Sequence, residues 1–307
     1  MTKQLKNVAA SVQTKLLQIA KARGDDFQLT LLRYVNERFL YRLGVSKHAD
    51  QFILKGASLF TVWTGAPHRS TRDLDLLGFG DLTDAQMTKV FSEVLSITVP
   101  DDGLTFDVSA LKVDAIREDQ EYGGVRLTTI ASLGTSKINV QIDVGFGDAV
   151  TPQAIETEFP ALLAEYPAPT LRIYPRETVV AEKLDAIVQL GLTNTRMKDF
   201  YDLRFMSERF EFEGALLVEA IRATFERRKT SLPPSLPVAL SREFSDHRSK
   251  QIQWVAFVKK ARIAGTPTLQ DTVEKVTLFV REPLQQALIQ PKWVSHWVAG
   301  GPWQSPG

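Results

Sequence analysis

Phe52-Ile53-Leu54-Lys55-Gly56-Ala57-Ser58, followed fifteen residues after the serine by Asp73-Leu74-Asp75-Leu76-Leu77, is the stretch from which the fold is read. Three apolar residues running into Lys-Gly predict a short buried strand that breaks at the glycine. Ser58 to Trp63 predicts a helical turn or short helix after it. The second segment reads as a strand, in which residues two apart share a face. Asp73 and Asp75 then project side by side while Leu74 and Leu76 turn to the core. Two hard carboxylates at that spacing suit magnesium, and a cation pair about 3.5–4 Å apart can clamp the attacking and leaving oxygens of a phosphoryl transfer. A glycine before Ser58 allows close backbone approach to a triphosphate, with the serine hydroxyl and amides at the start of the next helix. A bare Asp-x-Asp also occurs on ordinary solvated strands, and the preceding strand-Gly-x-Ser is what sharpens it.

Downstream, Phe106–Ile116, Val125–Ala131 and Ile138–Phe146 are strand candidates. In the last, Ile138, Val140, Ile142 and Val144 alternate with Asn139, Gln141 and Asp143, so one face is apolar and the other polar. Asp143 is the candidate third carboxylate, completing a metal shell and activating a hydroxyl. Asp148 and Asp107 are the fallbacks. Upstream, Leu5, Val8, Val12, Leu16 and Ile19 predict a helix ending near Gly24, and Leu31, Val35, Phe39 and Leu43 a second ending at Gly44. Asp84–Leu95 reads as an amphipathic helix.

Pro152, Pro160, Pro167, Pro169 and Pro175 make the stretch from 150 to 176 resistant to regular structure and mark a domain boundary. Beyond it the helical period dominates: Glu177–Leu190, Met197–Phe210, Gly214–Arg228, Ser245–Ile263 and Leu269–Val280. In the first of these, Lys183 falls within the stripe Val179, Val180, Leu184, Ile187 and Leu190, with Glu182, Asp185 and Gln189 opposite. Either its stem snorkels along the core edge, or its ammonium is held toward an anionic ligand such as a triphosphate. In the second, Asp199 and Asp202 are helical neighbours. One of them could anchor Lys183, or Asp199 could tie two helices together through Arg196 or Arg204.

Composition is that of an ordinary folded chain of 307 residues, 44% hydrophobic and 24% charged, which excludes disordered, collagen-like and coiled-coil classes. Thirty-seven basic against 36 acidic residues give net charge +1, so any basic surface must be local. Zero cysteines exclude disulfides, thiolate zinc sites and cysteine nucleophiles, and fit a cytoplasmic protein. Four scattered histidines, at 48, 68, 247 and 296, offer little for zinc. The start lacks the apolar core of a signal peptide, and no window approaches ~18 apolar residues, so neither secretion nor membrane spanning is expected.

Gly56-x-Ser58, Asp73-x-Asp75, Asp143, Lys183-Leu184-x-Ala186 and Lys198-Asp199-x-x-Asp202-Leu203, in that order, resemble the AbiEii/AbiGii toxin family, the nucleotidyltransferase toxins of type IV toxin–antitoxin systems that include the MenT-like branch. The resemblance covers roughly residues 45 to 210. It implies an α+β fold, a polymerase-beta-type mixed sheet with flanking helices followed by a helical C-terminal domain. The expected division is N-terminal helices in 1–48, a nucleotidyltransferase domain in 49–175 and a helical domain in 176–307 that contributes to the active site. By the resemblance, Gly56 and Ser58 bind nucleotide phosphates, Asp73 and Asp75 hold Mg2+, Lys183 contacts the triphosphate and Asp202 completes the essential set. The implied reaction moves a nucleoside monophosphate from an NTP to RNA, foremost the tRNA 3′ end, blocking translation, with an antitoxin encoded nearby. Two departures are Ala57, where the family often has a second glycine, and the third acidic position, which varies. Transfer to a small molecule such as an aminoglycoside, or nucleotide binding without catalysis, are the alternatives.

Lys55, His68, Arg69 and Arg72 flank the expected pocket, His68 as a loop residue without a titrating role. For RNA the candidate surface is Arg222, Arg227, Arg228, Lys229, Arg242, Arg248, Lys250, Lys259, Lys260 and Arg262, with Trp254 alongside. An ordinary solvated helix face is the other reading of those runs. Trp293, Trp297 and Trp303 predict a tail that docks on an apolar surface, foremost its own helical domain, with a partner as the alternative.

Overall fold

The computed structural model describes residues 7–80, 83–116, 123–263, 265, 267–289 and 293–305. Two compact units emerge. The first takes in the chain up to Gly147 together with Ile155–Ile173, and the second takes in Asp148–Ala154 and the chain from Tyr174 onward.

In the first unit the Asn7 side chain caps α1 (Val8–Arg23) by accepting from the Ala10 amide, and Gly24 ends it in the left-handed conformation. Leu5, expected in this helix, lies outside the described residues. Asp26 caps α2 (Phe27–Gly44) on the amides of Gln28 and Leu29. Packed among α1, α4 (Asp84–Leu95) and the sheet, α2 buries even the charged Glu37, Arg38 and Arg42. Those charges are paired: Arg38 to Glu37 at 2.7 Å, and Arg42 to Asp102 at 2.7 and 3.1 Å.

The strands are β1 (Phe52–Lys55), β2 (Leu74–Gly78), β3 (Leu104–Ile116), β4 (Gly124–Leu133) and β5 (Ser136–Phe146), with α3 (Ser58–Thr64) between the first two. The proline-rich stretch, expected to lack regular structure, adds β6 (Ile155–Glu158) and β7 (Thr170–Ile173). Its prolines stand outside both strands, at 152, 160, 167, 169 and 175, so no ladder donor is lost. The seven-stranded sheet runs β3-β4-β5-β2-β1-β7-β6. It is mixed: β2 is parallel to β5 and β1 to β7, while the other neighbours are antiparallel. The expected α+β class, a mixed sheet with flanking helices and then helices, is the fold observed.

The second unit holds α5 (Arg176–Leu190), α6 (Met197–Arg209), β8 (Phe212–Glu213), α7 (Gly214–Arg227), α8 (Arg242–Ser245), α9 (Arg248–Ala261), α10 (Leu269–Ile289), β9 (His296–Trp297) and β10 (Trp303–Gln304). The single helix expected over Ser245–Ile263 is divided at His247, whose side chain caps α9 by accepting from the Ser249 amide. Helix α10 continues nine residues beyond its expected end at Val280, through a buried Pro283. Proline at 283 removes the amide that the Phe279 carbonyl would accept from. Trp303 Nε1 donates to that carbonyl at 2.8 Å, and its ring stacks on Phe279. Trp297 Nε1 donates to the Ser207 carbonyl at 2.8 Å, so the tryptophan tail docks on its own helices as expected. Among the described residues no helix is long and apolar enough to cross a membrane.

Candidate active site

Strand register in the first unit builds one line of charged residues. Lys55 on β1 pairs with Asp75 on β2, Asp75 with Asp143 on β5, and Asp143 with Arg126 on β4. Residues opposite one another share a face, so four adjacent strands present Lys, Asp, Asp and Arg side by side. Asp73, just ahead of β2, joins them and accepts from Thr71 Oγ1 at 2.9 Å. One carboxylate oxygen each from Asp73, Asp75 and Asp143 lies within 4.8 Å of the others, and all three residues are half-buried. Three hard oxygen donors converging at one rim fit a divalent cation of the magnesium type.

Gly56 stands where β1 ends, with φ +74°, a conformation that favours glycine. A Cβ there would lie 1.9 Å from Asp75 Oδ2 and 2.6 Å from its Cγ. The sequence suggests backbone approach to phosphate as the reason for this glycine; the structure adds that Asp75 occupies the space a side chain would need. Ser58 opens α3 half-buried, Lys55 is half-buried, Arg72 is exposed, and the His68 ring stacks on Phe60 with centroids 3.6 Å apart.

Sequence reasoning missed Arg126. Its Nε and Nη2 donate to the two oxygens of Asp143 at 2.8 and 2.7 Å. That bond and the charges of Asp143, Asp73 and Asp75 outweigh partial burial and push the guanidinium pKa further up. Only register could reveal it, because Arg126 precedes Asp143 by a whole hairpin. The fallback Asp107 is outside the triad, its carboxylate accepting from Ser109 Oγ and the Ala110 amide at 2.6 and 3.1 Å.

In the second unit, α5 and α6 bring Lys183, Asp199 and Asp202 together. Lys183 Nζ lies 2.9 Å from Asp199 Oδ1 and 2.8 Å from Asp202 Oδ2, both aspartates being fully buried. Arg196 Nε adds a bond to Asp199 Oδ2 at 2.6 Å. Burial alone would push the Asp199 carboxyl up, but the charges of Lys183 and Arg196 and their hydrogen bonds hold it below the usual aspartate value. Both sequence readings of Asp199, anchor for Lys183 and tie to Arg196, therefore describe its contacts.

The polar face of α5 is wet only in part: Gln189 is exposed and Glu182 half-buried. Asp185 is fully buried against Arg228, whose Nη atoms lie 3.2 Å from Asp185, 2.9 Å from the fallback Asp148 and 3.5 Å from Glu182. Burial pushes the Asp185 carboxyl up, against its bonds to Thr230 and Arg228. Arg228 thus leaves the expected basic surface, and so does Lys250, buried with Nζ donating to the Asn194 carbonyl at 2.9 Å. Arg222 is half-buried, its guanidinium capping α10 on the carbonyls of Gln286 and Ala287. Trp254 is buried too, its Nε1 donating to the Pro267 carbonyl at 3.0 Å. Arg227, Lys229, Arg242, Arg248, Lys259, Lys260 and Arg262 are exposed.

No curated protein matches the chain in sequence. Among solved structures, one provisionally described as a nucleotidyltransferase from H. pylori is 17% identical, with a TM-score of 0.49 over 84% of this chain and 98% of its own. JHP933 from Helicobacter pylori is likewise 17% identical, with a TM-score of 0.47 over 84% of this chain and 94% of its own. The model of the nucleotidyl transferase AbiEii toxins of type IV toxin–antitoxin systems matches residues 38–276, a span that holds both the Asp73, Asp75 and Asp143 triad and the Lys183, Asp199 and Asp202 cluster. With most of its length matched, the chain belongs to the AbiEii nucleotidyl transferase toxin family.

Proposed function

We propose that this chain transfers a nucleoside monophosphate from an NTP to an RNA acceptor, foremost the 3′ end of tRNA, and so blocks translation. The observation that carries the reading is the carboxylate triad at the rim of the first unit's sheet. Asp73, Asp75 and Asp143 would hold Mg2+ there. The ion, when bound, supplies charge neutralisation for a phosphoryl group changing hands. Gly56 keeps the space beside Asp75 clear and so sets the position of that carboxylate. Gly56, Ser58 and Lys55 stand beside the triad as the candidates for the nucleotide phosphates, with Arg72 as a further candidate. In the reaction an acceptor hydroxyl attacks the α-phosphorus, pyrophosphate leaves, and the hydroxyl's proton passes to the Asp143 carboxylate.

In the second unit Lys183 and Asp202 keep the roles that the resemblance gives them, Lys183 as the triphosphate contact and Asp202 as the member completing the essential set, while Asp199 anchors Lys183 at 2.9 Å. Exposed Arg248, Lys259, Lys260 and Arg262 along and just beyond α9 favour an anionic polymer as acceptor. The same reading sets the protein in the cytoplasm, where NTPs and tRNA are found, with a cognate antitoxin as partner.

The test is incubation with Mg2+, each of the four α-labelled NTPs and total bacterial tRNA, beside an Asp73→Ala control. Label on tRNA from one or two nucleotides, lost in the control, is expected. Label appearing instead on small amines, or persisting in Asp73→Ala, would overturn the reading.

A further inference from the structure

The triad carries its own cation. Arg126 takes both oxygens of Asp143 in a fork, at 2.8 and 2.7 Å, and its guanidinium feels the charges of Asp73 and Asp75 as well. With its amide oxygen turned to satisfy both partners, Gln141 accepts from the same guanidinium at 3.1 and 3.3 Å. This arginine is only partly covered: its side chain is 44% exposed, so it can swing into water at little desolvation cost. Three carboxylates this close repel one another unless a positive charge stands among them. Arg126 supplies part of that charge from within the chain, and it does so on the carboxylate that a divalent ion would need.

We propose that Arg126 is a resident counter-ion that competes with the divalent cation for Asp143, so that metal binding is an exchange in which the guanidinium gives up the carboxylate. The inference rests on the metal reading of the triad. Its consequence is weaker metal affinity than three converging aspartates would otherwise have, which makes loading of the site dependent on ligands that bring further negative charge, such as a nucleoside triphosphate. The fork geometry matters as well as the charge, because a lysine can neutralise the site but cannot occupy both oxygens at once.

The test is direct titration of the full-length protein with Mn2+ in the absence of nucleotide, followed by electron paramagnetic resonance of the free ion, for the wild type, Arg126→Gln, Arg126→Lys and Asp73→Asn. Arg126→Gln is expected to bind Mn2+ about tenfold more tightly, the effect of removing one positive charge beside a doubly charged ion in half-exposed surroundings. Arg126→Lys should fall between it and the wild type, and Asp73→Asn should lose the site. A second readout is thermal unfolding: Mn2+ should raise the Tm of Arg126→Gln by more than it raises that of the wild type. Equal or weaker Mn2+ affinity in Arg126→Gln would overturn the counter-ion role while leaving the metal reading intact. Absence of Mn2+ binding in wild type and Arg126→Gln alike, or binding undiminished in Asp73→Asn, would overturn the metal reading and this inference with it.

Discussion

Asp73, Asp75 and Asp143 in the first unit each keep part of their surface in water, whereas Asp199 and Asp202 in the second are fully buried with Lys183 between them. Both groups are carboxylates near cations, yet they answer different physical demands. A carboxylate sealed from water must be paired where it stands, because breaking the pair leaves an uncompensated buried charge. Asp199 meets that demand twice, with Lys183 and Arg196. A carboxylate at a wet rim can lose its partner and be solvated, so it is able to exchange one cation for another. Arg228, ringed by Asp148, Glu182 and Asp185, repeats the multiple pairing in the second unit, with Asp185 alone of its three carboxylates fully buried. Electrostatic crowding by itself therefore does not mark a cluster that can exchange its cation; the exposure of the cation, 44% for Arg126 against 14% for Lys183 and 17% for Arg228, distinguishes the exchangeable pair from the fixed ones.

The contrast breaks if the two groups respond alike to mutation. Asp73→Asn should cut nucleotidyl transfer about a thousandfold in a label-incorporation assay while changing stability by no more than about 0.5 kcal/mol in urea melts. Asp199→Ala should do the reverse in the stability measurement, losing about 1–3 kcal/mol, since Lys183 keeps Asp202 and half-exposed Arg196 can turn to water while the buried hydrogen bonds of Asp199 are lost. Gly56→Ala falls between: a Cβ would drive against Asp75, and transfer should drop about a hundredfold with Mn2+ binding weakened alongside it.

Smaller effects sharpen the picture. Trp303→Phe keeps the stacking ring but leaves the Phe279 carbonyl without its donor, a loss of about 1–2 kcal/mol in thermal melts. Acid sensitivity follows from Asp199. Its carboxyl is held below the usual value, so its contribution to stability is present above the unfolded aspartate pKa of about 3.9 and fades as pH falls through the lower folded value. Asp199→Asn should flatten that acid limb in melts recorded from pH 5 downward. A curve as steep as the wild type's would assign the limb to other carboxylates.

Much of this was legible before any coordinates. Period and breakers placed β1, β2 and β5, and paired aspartates on an alternating strand pointed to one shared face. What escaped notice had nonlocal causes. Strands β6 and β7 hide among prolines because only pairing with β1 and with each other, far off in sequence, makes four-residue segments into strands. Helix α10 outruns its expected end at Val280 because the cost of Pro283 is offset by Trp303, twenty residues further on. Arg228 and Lys250 looked like surface charges because sequence shows charge but not burial.

The order of motifs was enough by itself to give the resemblance that implied the family and its α+β class, while strand alternation and residue type gave the three candidate carboxylates. Tertiary structure alone decided which charges meet. The register of β1, β2, β5 and β4 puts Lys55, Asp75, Asp143 and Arg126 in one row, and α5 with α6 closes Lys183 between two aspartates. Coulomb interactions fall off with distance in space and ignore distance along the chain, so helical spacing could suggest an aspartate anchor for Lys183 but not the row of charges across four strands.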